Sequence, residues 1–277
     1  MDIVKQDGER EKFDPEKLKN SLKRAGATIF VANDITDSIQ KELKDGSTTT
    51  EIYRKAFNIL HKKEKATALR YSIRRSVLNL GPSGFPFEKF VAELFKAKGY
   101  ETKVGITLPG RCSEHEVDII AYNDKEFIVT EAKFHNQVGV KTDTKVALYI
   151  KARFDDIRES SFEIDGKERK MTHGILITNT KFTNNAIKYV GCVGTYELIS
   201  WDHPKKGNLY DLMAETALHP LTCVPQLTKH DQEELFKRNI INCMSLKNSV
   251  DDMKEIGIEE SKIKDILENL DMICTHR

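Results

Sequence analysis

The sequence predicts an α/β chain: a mostly helical N-terminal part, a central mixed sheet flanked by helices, and a C-terminal helical module. Three observations carry this. Apolar residues before Leu80 recur at helical spacing behind capping residues. Between Phe85 and Trp201, β-rich runs alternate with helical ones, the order expected when helices pack on a sheet. From Leu221 onward the pattern is helical again. Gly81-Pro82-Ser83-Gly84 is a linker signal, so the parts divide at 1–82, 83–220 and 221–277.

At 277 residues and 39% hydrophobic, the chain has room for two or three domains with a real core. Its net charge is only +1, which does not announce a nucleic-acid protein. Residues 1–80 nevertheless carry 17 Lys and Arg against 12 Asp and Glu, a bias that suits phosphate. No apolar run approaches the ~20 residues of a membrane helix. Met1-Asp2-Ile3-Val4-Lys5 lacks the basic-then-apolar pattern of a secretory leader. Cys112, Cys192, Cys223, Cys243 and Cys274 are scattered without a Cys-x-x-Cys pair, which disfavours a zinc ribbon and fits reduced thiols. A cytoplasmic chain without a membrane partner is expected.

The first part opens with a short strand and turn, Ile3 to Phe13. Asp14 is a good N-cap and Pro15 a good first helical residue, and Leu18, Leu22 and Ala25 follow until Gly26. Further helices are expected near Asp34–Leu43, Thr50–Lys62 and Ala66–Leu80. Val4-Lys5-Gln6-Asp7-Gly8-x-x-Glu11-x-Phe13-Asp14-x-x-Lys17-Leu18, then Thr49-Thr50-Glu51-Ile52, then Tyr71-Ser72-Ile73-Arg74-Arg75 follow in order. On these residues the stretch resembles the ATP-cone, a nucleotide-binding regulatory domain. The resemblance implies that Lys5, Gln6, Lys17 and Thr49 contact nucleotide, that Glu11 and Leu18 line the pocket, and that Arg75 (or Arg74) meets phosphate. Gln6 stands where the family has arginine, which removes one fixed cation. ATP or dATP would be the effector. No Gly-x-x-x-x-Gly-Lys-Ser/Thr loop is present to make it a fuel.

The second part begins with a helix over Phe87–Lys98, closed by Gly99. Phe87, Phe90, Val91, Leu94 and Phe95 form its core stripe, and Glu88 lies at the edge of that stripe. Glu88 is either a first-turn acid favoured by the helix dipole or a third carboxylate for a site elsewhere. A strand over Tyr100–Gly105 and a loop through Arg111 follow. Then come Glu116–Tyr122 and Glu126–Phe134, two β-rich runs separated by Asn123-Asp124-Lys125. Strand alternation puts Glu131 and Lys133 on one face, and hairpin pairing would bring Asp118 beside Glu131. Two carboxylates and a lysine at one point suit metal-assisted phosphodiester hydrolysis. The alternative is a plain surface pairing of Asp118 with Lys133, worth ~0–1 kcal/mol. A helix over Thr144–Glu159, a strand over Gly174–Thr178, a helix over Thr183–Val190 and a strand over Tyr196–Ser200 complete the part.

Glu88 in a helix, Asp118 in a strand and Glu131-x-Lys133 in the next resemble the PD-(D/E)XK restriction-endonuclease superfamily. Glu114-His115-Glu116-Val117-Asp118, Thr178-Asn179-Thr180-Lys181-Phe182-Thr183 and Trp201-Asp202-His203-Pro204 are similar to restriction-endonuclease domains joined to ATP-cones. The resemblance implies a DNA endonuclease in which Asp118, Glu131 and the Ala132 carbonyl hold Mg²⁺ or Mn²⁺. Lys133 would orient the attacking water, and Glu88 would complete the outer shell. His115, His135 and Gln137 are candidates for phosphate, His115 equally for a structural hydrogen bond. The other class open to the chain is a nucleotide-sensing DNA-binding or regulatory protein that keeps the fold without the chemistry. A homodimer or higher homo-oligomer is expected, because cutting two strands needs two sites or a reorientation.

The third part offers helices at Asp231–Lys237, Ser245–Met253 and Glu259–Met272. Its surplus of acids argues against a strong DNA grip, so an accessory helical module is expected.

Overall fold

The structure, a computed structural model, describes residues 1–5, 8–137 and 139–274. By packing, the chain forms two units: Met1–Val77 together with His219–Arg277, and Leu78–Leu218.

The first unit opens with β1 (Asp2–Val4) and β2 (Arg10–Lys12), followed by α1 (Pro15–Arg24) and α2 (Ile29–Glu42). Then come β3 (Ser47–Thr48), α3 (Thr49–Lys63), α4 (Lys65–Tyr71) and α5 (Ile73–Leu78). The strands form a small sheet in the order β2-β1-β3. Asp14 caps α1 by accepting from the Glu16 and Lys17 amides, and Thr48 and Glu51 close a reciprocal capping box on α3. Leu18, Leu22, Ile35, Ile39, Ala56 and Leu60 supply the core. Two expectations are corrected. The second helix starts at Ile29, because Thr28 caps it by accepting from the Val31 amide. The expected helix over Ala66–Leu80 is two helices that break at Ser72, with neither Gly nor Pro to mark the break.

The second unit contains α6 (Phe85–Ala97), β4 (Glu101–Pro109), β5 (Glu114–Tyr122), β6 (Phe127–Lys133), β7 (Lys141–Thr142) and α7 (Thr144–Arg158). It continues through β8 (Phe162–Ile164), β9 (Lys167–Arg169), β10 (His173–Thr178), β11 (Lys181–Phe182), α8 (Asn184–Val193), β12 (Glu197–Ile199) and α9 (Leu209–Thr216). The main sheet runs β12-β10-β6-β5-β4. The β4-β5-β6 pairings are antiparallel, whereas β6-β10 and β10-β12 are parallel, so the sheet is mixed. One face buries Val129, Ile120, Leu176 and Leu198 against Ile150, Phe154 and Ile157 of α7 and Ala186 and Val190 of α8. The helix α6 packs on β4 and β5 through its buried stripe of Phe87, Phe90, Val91 and Leu94. The first strand runs past the expected Gly105 to Pro109. The hairpin β8-β9 and the helix α9 were not expected.

The remainder of the first unit is a 3₁₀ turn (Leu221–Cys223), then α10 (Lys229–Lys237), α11 (Cys243–Lys247), α12 (Val250–Glu255) and α13 (Glu260–Cys274). Leu235, Leu246, Met253, Ile263, Ile266 and Leu270 bury a core of their own. The helix expected over Ser245–Met253 divides at Asn248-Ser249, residue types whose side chains compete for backbone partners. Within this unit α13 packs on α4, and Thr222 Oγ1 donates to the Ser76 carbonyl at 2.6 Å. Among the described residues no helix is long and apolar enough to cross a membrane.

Candidate active site

Asp118 and Glu131 meet because of how β5 and β6 pair. The ladder runs from Tyr122 opposite Phe127 to Ile119 opposite Thr130, so the next position in register sets Asp118 opposite Glu131. Directly opposed residues of an antiparallel pair share a face. That face is the one on which Ile120 and Val129 enter the core with α7. At Asp118 the side chain replaces the ladder: its Oδ2 accepts from the Ala132 amide at 2.7 Å. Gly105, with φ of +63°, lies across from Asp118 on β4, between the pairs Val104–Ile119 and Ile106–Val117. Such a φ is open to glycine at little cost.

Glu131 is 3% exposed and holds two cations. Lys133 Nζ lies 2.6 Å from Oε1, and Arg153 Nη1 from α7 lies 2.6 Å from Oε2. Arg153 also donates to the Glu116 carbonyl at 3.1 Å and to the Tyr149 hydroxyl at 2.7 Å. Its Nε is buried, with no acceptor in reach among the described residues. Tyr149 is 58% exposed and carries the Arg153 guanidinium over its ring at 5.0 Å. The sequence reading did not single out Arg153. Its only signal was the Tyr149/Arg153 spacing of one helical turn on α7.

Glu88 enters from the first turn of α6. Burial raises its carboxyl to about 7, and the negative charges of Asp118 and Glu131 add to the rise. Burial likewise raises Asp118, with the charge of Glu131 second. The segment after Lys133 fixes this arrangement. Phe134 packs on Phe87, 5.7 Å between ring centres, and a Cβ on Gly81 would meet the Phe134 ring at 2.6 Å. Thr178 Oγ1 donates to the Lys133 carbonyl, and Asn179 bonds both the amide and the carbonyl of His135.

Glu88, Asp118, Glu131, Ala132 and Lys133 therefore share one locality. His115 does something else: its Nε2 pairs with Asp156 at 2.7 Å, and Asp156 also accepts from the Cys112 and Ser113 amides. The His115 hydrogen bond holds the Asp156 carboxyl down at about 2. These hydrogen bonds pin the β4-β5 turn to α7. The ring of His135 bonds Thr142 at 3.0 Å, and Gln137 is exposed.

The donor chemistry fits a hard divalent cation. Asp118, Glu131 and Glu88 are oxygen ligands of the kind Mg²⁺ and Mn²⁺ take, and burial first, with neighbouring carboxylates second, raises Glu88 and Asp118. As the side chains stand, no three His, Cys, Asp or Glu groups among the described residues are arranged to hold a metal.

In the other unit, β1 and β2 bring Lys5 and Glu11 to 3.1 Å, and Lys17 of α1 reaches the same Glu11 oxygen at 3.5 Å. The hydrogen bond from Lys5 lowers the Glu11 carboxyl. The parallel β1-β3 register ends at the pair Val4–Thr48, and Thr49 is the first residue of α3. Leu18 is 7% exposed and lies in the core beneath α1. Arg75 lies over Tyr53 at 5.3 Å, one turn along α3 from Thr49. Gln6 lies outside the described residues.

Comparison with known proteins agrees with the fold and the domain order. The family model for the ATP cone domain matches residues 1–78, that for restriction endonuclease matches residues 81–203, and that for the AF1548-like C-terminal region matches residues 219–274. The molecule thus joins an ATP-cone to a restriction-endonuclease-like domain, which suggests nucleotide sensing and a nuclease. An uncharacterized protein of Archaeoglobus fulgidus is 33% identical over 178 residues, 64% of this chain and 95% of the relative. The crystal structure of the protein of unknown function AF1548 gives a TM-score of 0.56 at 32% identity, covering 69% of this chain and 98% of that one. The chain belongs to the AF1548-like family. A structure of the MspJI restriction endonuclease with a 27-mer oligonucleotide gives a TM-score of 0.33 at 16% identity, covering 55% of this chain and 31% of that one.

Proposed function

We propose that this chain is a Mg²⁺- or Mn²⁺-dependent DNA endonuclease whose activity is set by ATP or dATP in the N-terminal cone. The observation that carries it is the convergence of Asp118, Glu131 and Lys133 where the β5-β6 ladder ends, with Glu88 in electrostatic reach. Asp118 and Glu131 would hold the cation with the Ala132 carbonyl, and Glu88 would complete its outer shell. When bound, the cation would neutralise charge on the scissile phosphate and make water a better nucleophile. Lys133 would orient that water from its place beside Glu131. In the cone, Lys5 and Lys17 would receive the triphosphate, and Thr49 would lie against it. Bound nucleotide changes activity only insofar as it binds two states of the protein unequally. A cytoplasmic homodimer would supply two sites for two strands.

The test is cleavage of supercoiled and branched DNA with Mg²⁺ or Mn²⁺, with and without ATP or dATP. Wild type should cut, and Asp118→Ala and Lys133→Ala should not. Cutting that persists in both variants refutes the assignment.

One observation favours a second reading, a nucleotide-sensing DNA-binding or regulatory protein with an unused nuclease fold: both Glu131 oxygens already hold cations from the chain itself. Tight ATP binding without cutting of any DNA would favour that reading.

A further inference from the structure

The guanidinium of Arg153 sits where a metal ligand should be free. It takes Glu131 Oε2 at 2.6 Å, the only Glu131 oxygen that Lys133 leaves open. The contact is nearly shut off from water, with the Arg153 and Glu131 side chains 16% and 4% exposed. A pair so placed is weakly screened and competes with any other cation for the same carboxylate. Yet Arg153 is not fully satisfied there, because its buried Nε has no acceptor among the described residues. Its outer edge bonds Tyr149, which is 58% exposed on α7. The side chain therefore runs from the carboxylate to the surface, and its Nε–H is unspent among the described residues. A guanidinium fork matches the oxygens of a phosphate in a bidentate way.

We infer that Arg153 is a positioning residue that occupies Glu131 while no divalent cation is bound and is transferred to a nucleic-acid phosphate when one binds. This deepens the nuclease reading and rests on it. Divalent-metal affinity and substrate binding are then coupled through one side chain, and the site binds metal more weakly in the absence of DNA. Coupling of this kind is reciprocal: duplex tightens metal binding by the factor by which metal tightens duplex binding.

The experiment measures Mn²⁺ binding to the full-length chain by calorimetry, apart from any cleavage. It compares wild type, Arg153→Gln and Tyr149→Phe, each with and without a non-hydrolysable phosphorothioate duplex. Arg153→Gln should bind Mn²⁺ about tenfold more tightly than wild type without duplex, about 1.4 kcal/mol. It should also lose the tightening that duplex gives wild type. Tyr149→Phe keeps the charge and frees the outer edge, so it should shift the same way by a smaller factor, and it covers the case in which Arg153→Gln fails to fold. At saturating Mn²⁺, cleavage by Arg153→Gln should fall although its metal affinity has risen. A merely structural arginine would lower both together, and that result overturns the proposal. Inorganic phosphate at equal phosphate concentration should leave wild-type Mn²⁺ affinity unchanged. An equal effect from it removes nucleic acid as the receiver. If Arg153→Gln gains Mn²⁺ affinity but no form cuts DNA, the transfer stands and the nuclease reading fails. If no form binds Mn²⁺, both fall.

Discussion

Each unit of this chain gathers lysine and glutamate side chains at one point, and the acids of the two clusters shift in opposite directions. On the cone sheet Lys5 pairs with Glu9 and Glu11 and Lys17 pairs with the same Glu11, all at least 30% exposed along their side chains. On the nuclease-like sheet Glu88, Asp118 and Glu131 outnumber Lys133 and Arg153, and Glu131 is buried. The responses of the acids follow. Glu11 is lowered because cations surround it, whereas Asp118 and Glu88 are raised because burial and neighbouring carboxylates dominate. The same residue types thus shift in opposite directions in the two clusters, and burial makes the difference.

The largest way to break this contrast is to remove anionic capacity from the nuclease-like site. Glu131→Gln keeps the shape but deletes the charge that Lys133 and Arg153 share. DNA cleavage should drop on the order of 10³-fold, the range typical when a group stabilising developing charge is lost. Single-turnover rates at saturating Mn²⁺ measure it. A loss under tenfold would mean that the carboxylate cluster is not where charge is handled.

Next in size are pH effects of opposite sign in the two units. His219, in the first unit, is pushed down to about 4 by burial, with the charge of Arg70 adding to it. Its contribution to stability is full above its unfolded value of 6.5 and is lost as pH falls toward about 4. The span corresponds to roughly 3 kcal/mol. Glu88, in the second unit, is raised to about 7. Its contribution is full below 4.5 and is lost as pH rises through about 7. Calorimetric unfolding of the full chain between pH 4 and 7.5 should therefore change its acid slope in His219→Leu and its neutral slope in Glu88→Gln. Identical slopes in both variants and wild type would contradict the burial assigned to these groups.

A smaller effect tests the cone. Lys5→Ala removes one of two cations bridged by Glu11, and ATP affinity should fall about tenfold, the size expected for one charged phosphate contact. Calorimetric titration with ATP and dATP reads it. An unchanged affinity would leave Lys5 as a surface ion pair with Glu9 and Glu11 and nothing more.

How much of this was legible in the sequence differs by the kind of interaction. The β5-β6 pairing was readable because β-rich runs flank Asn123-Asp124-Lys125, and period-two alternation then fixes which side chains share a face. The capping residue Asp14 marked a helix start for the same local reason. Thr28, Asn208 and the Asp165-Gly166 turn carried signals of the same sort that the reading passed over: both turn residues have positive φ, as a tight two-residue hairpin needs. Arg153 was illegible for a different reason. On α7 it is one charged residue among Lys145, Lys151 and Arg158, and only tertiary packing decides which of them turns toward Glu131. The break at Ser72 was equally hidden, since no local residue forbids the helix there.

The smallest prediction joins fold to site at Gly105. Strand β4 is paired with β5 on both sides of this residue, yet its φ of +63° interrupts the extended backbone across from Asp118. No atom lies within 4 Å of where a Cβ would stand. A methyl group would therefore meet open space, and the cost of Gly105→Ala is conformational alone, about 1 kcal/mol. Equilibrium unfolding in urea should show that loss with an unchanged slope, because no extra surface is exposed. The kink belongs to the point at which the Asp118 carboxylate leaves the β5-β6 ladder to accept from Ala132. If Gly105→Ala straightens β4, Asp118 is disturbed, and cleavage falls along with stability. If the strain is absorbed in place, stability falls and cleavage does not. The first outcome ties the glycine to the position of the acid, and the second confines it to the edge of the sheet.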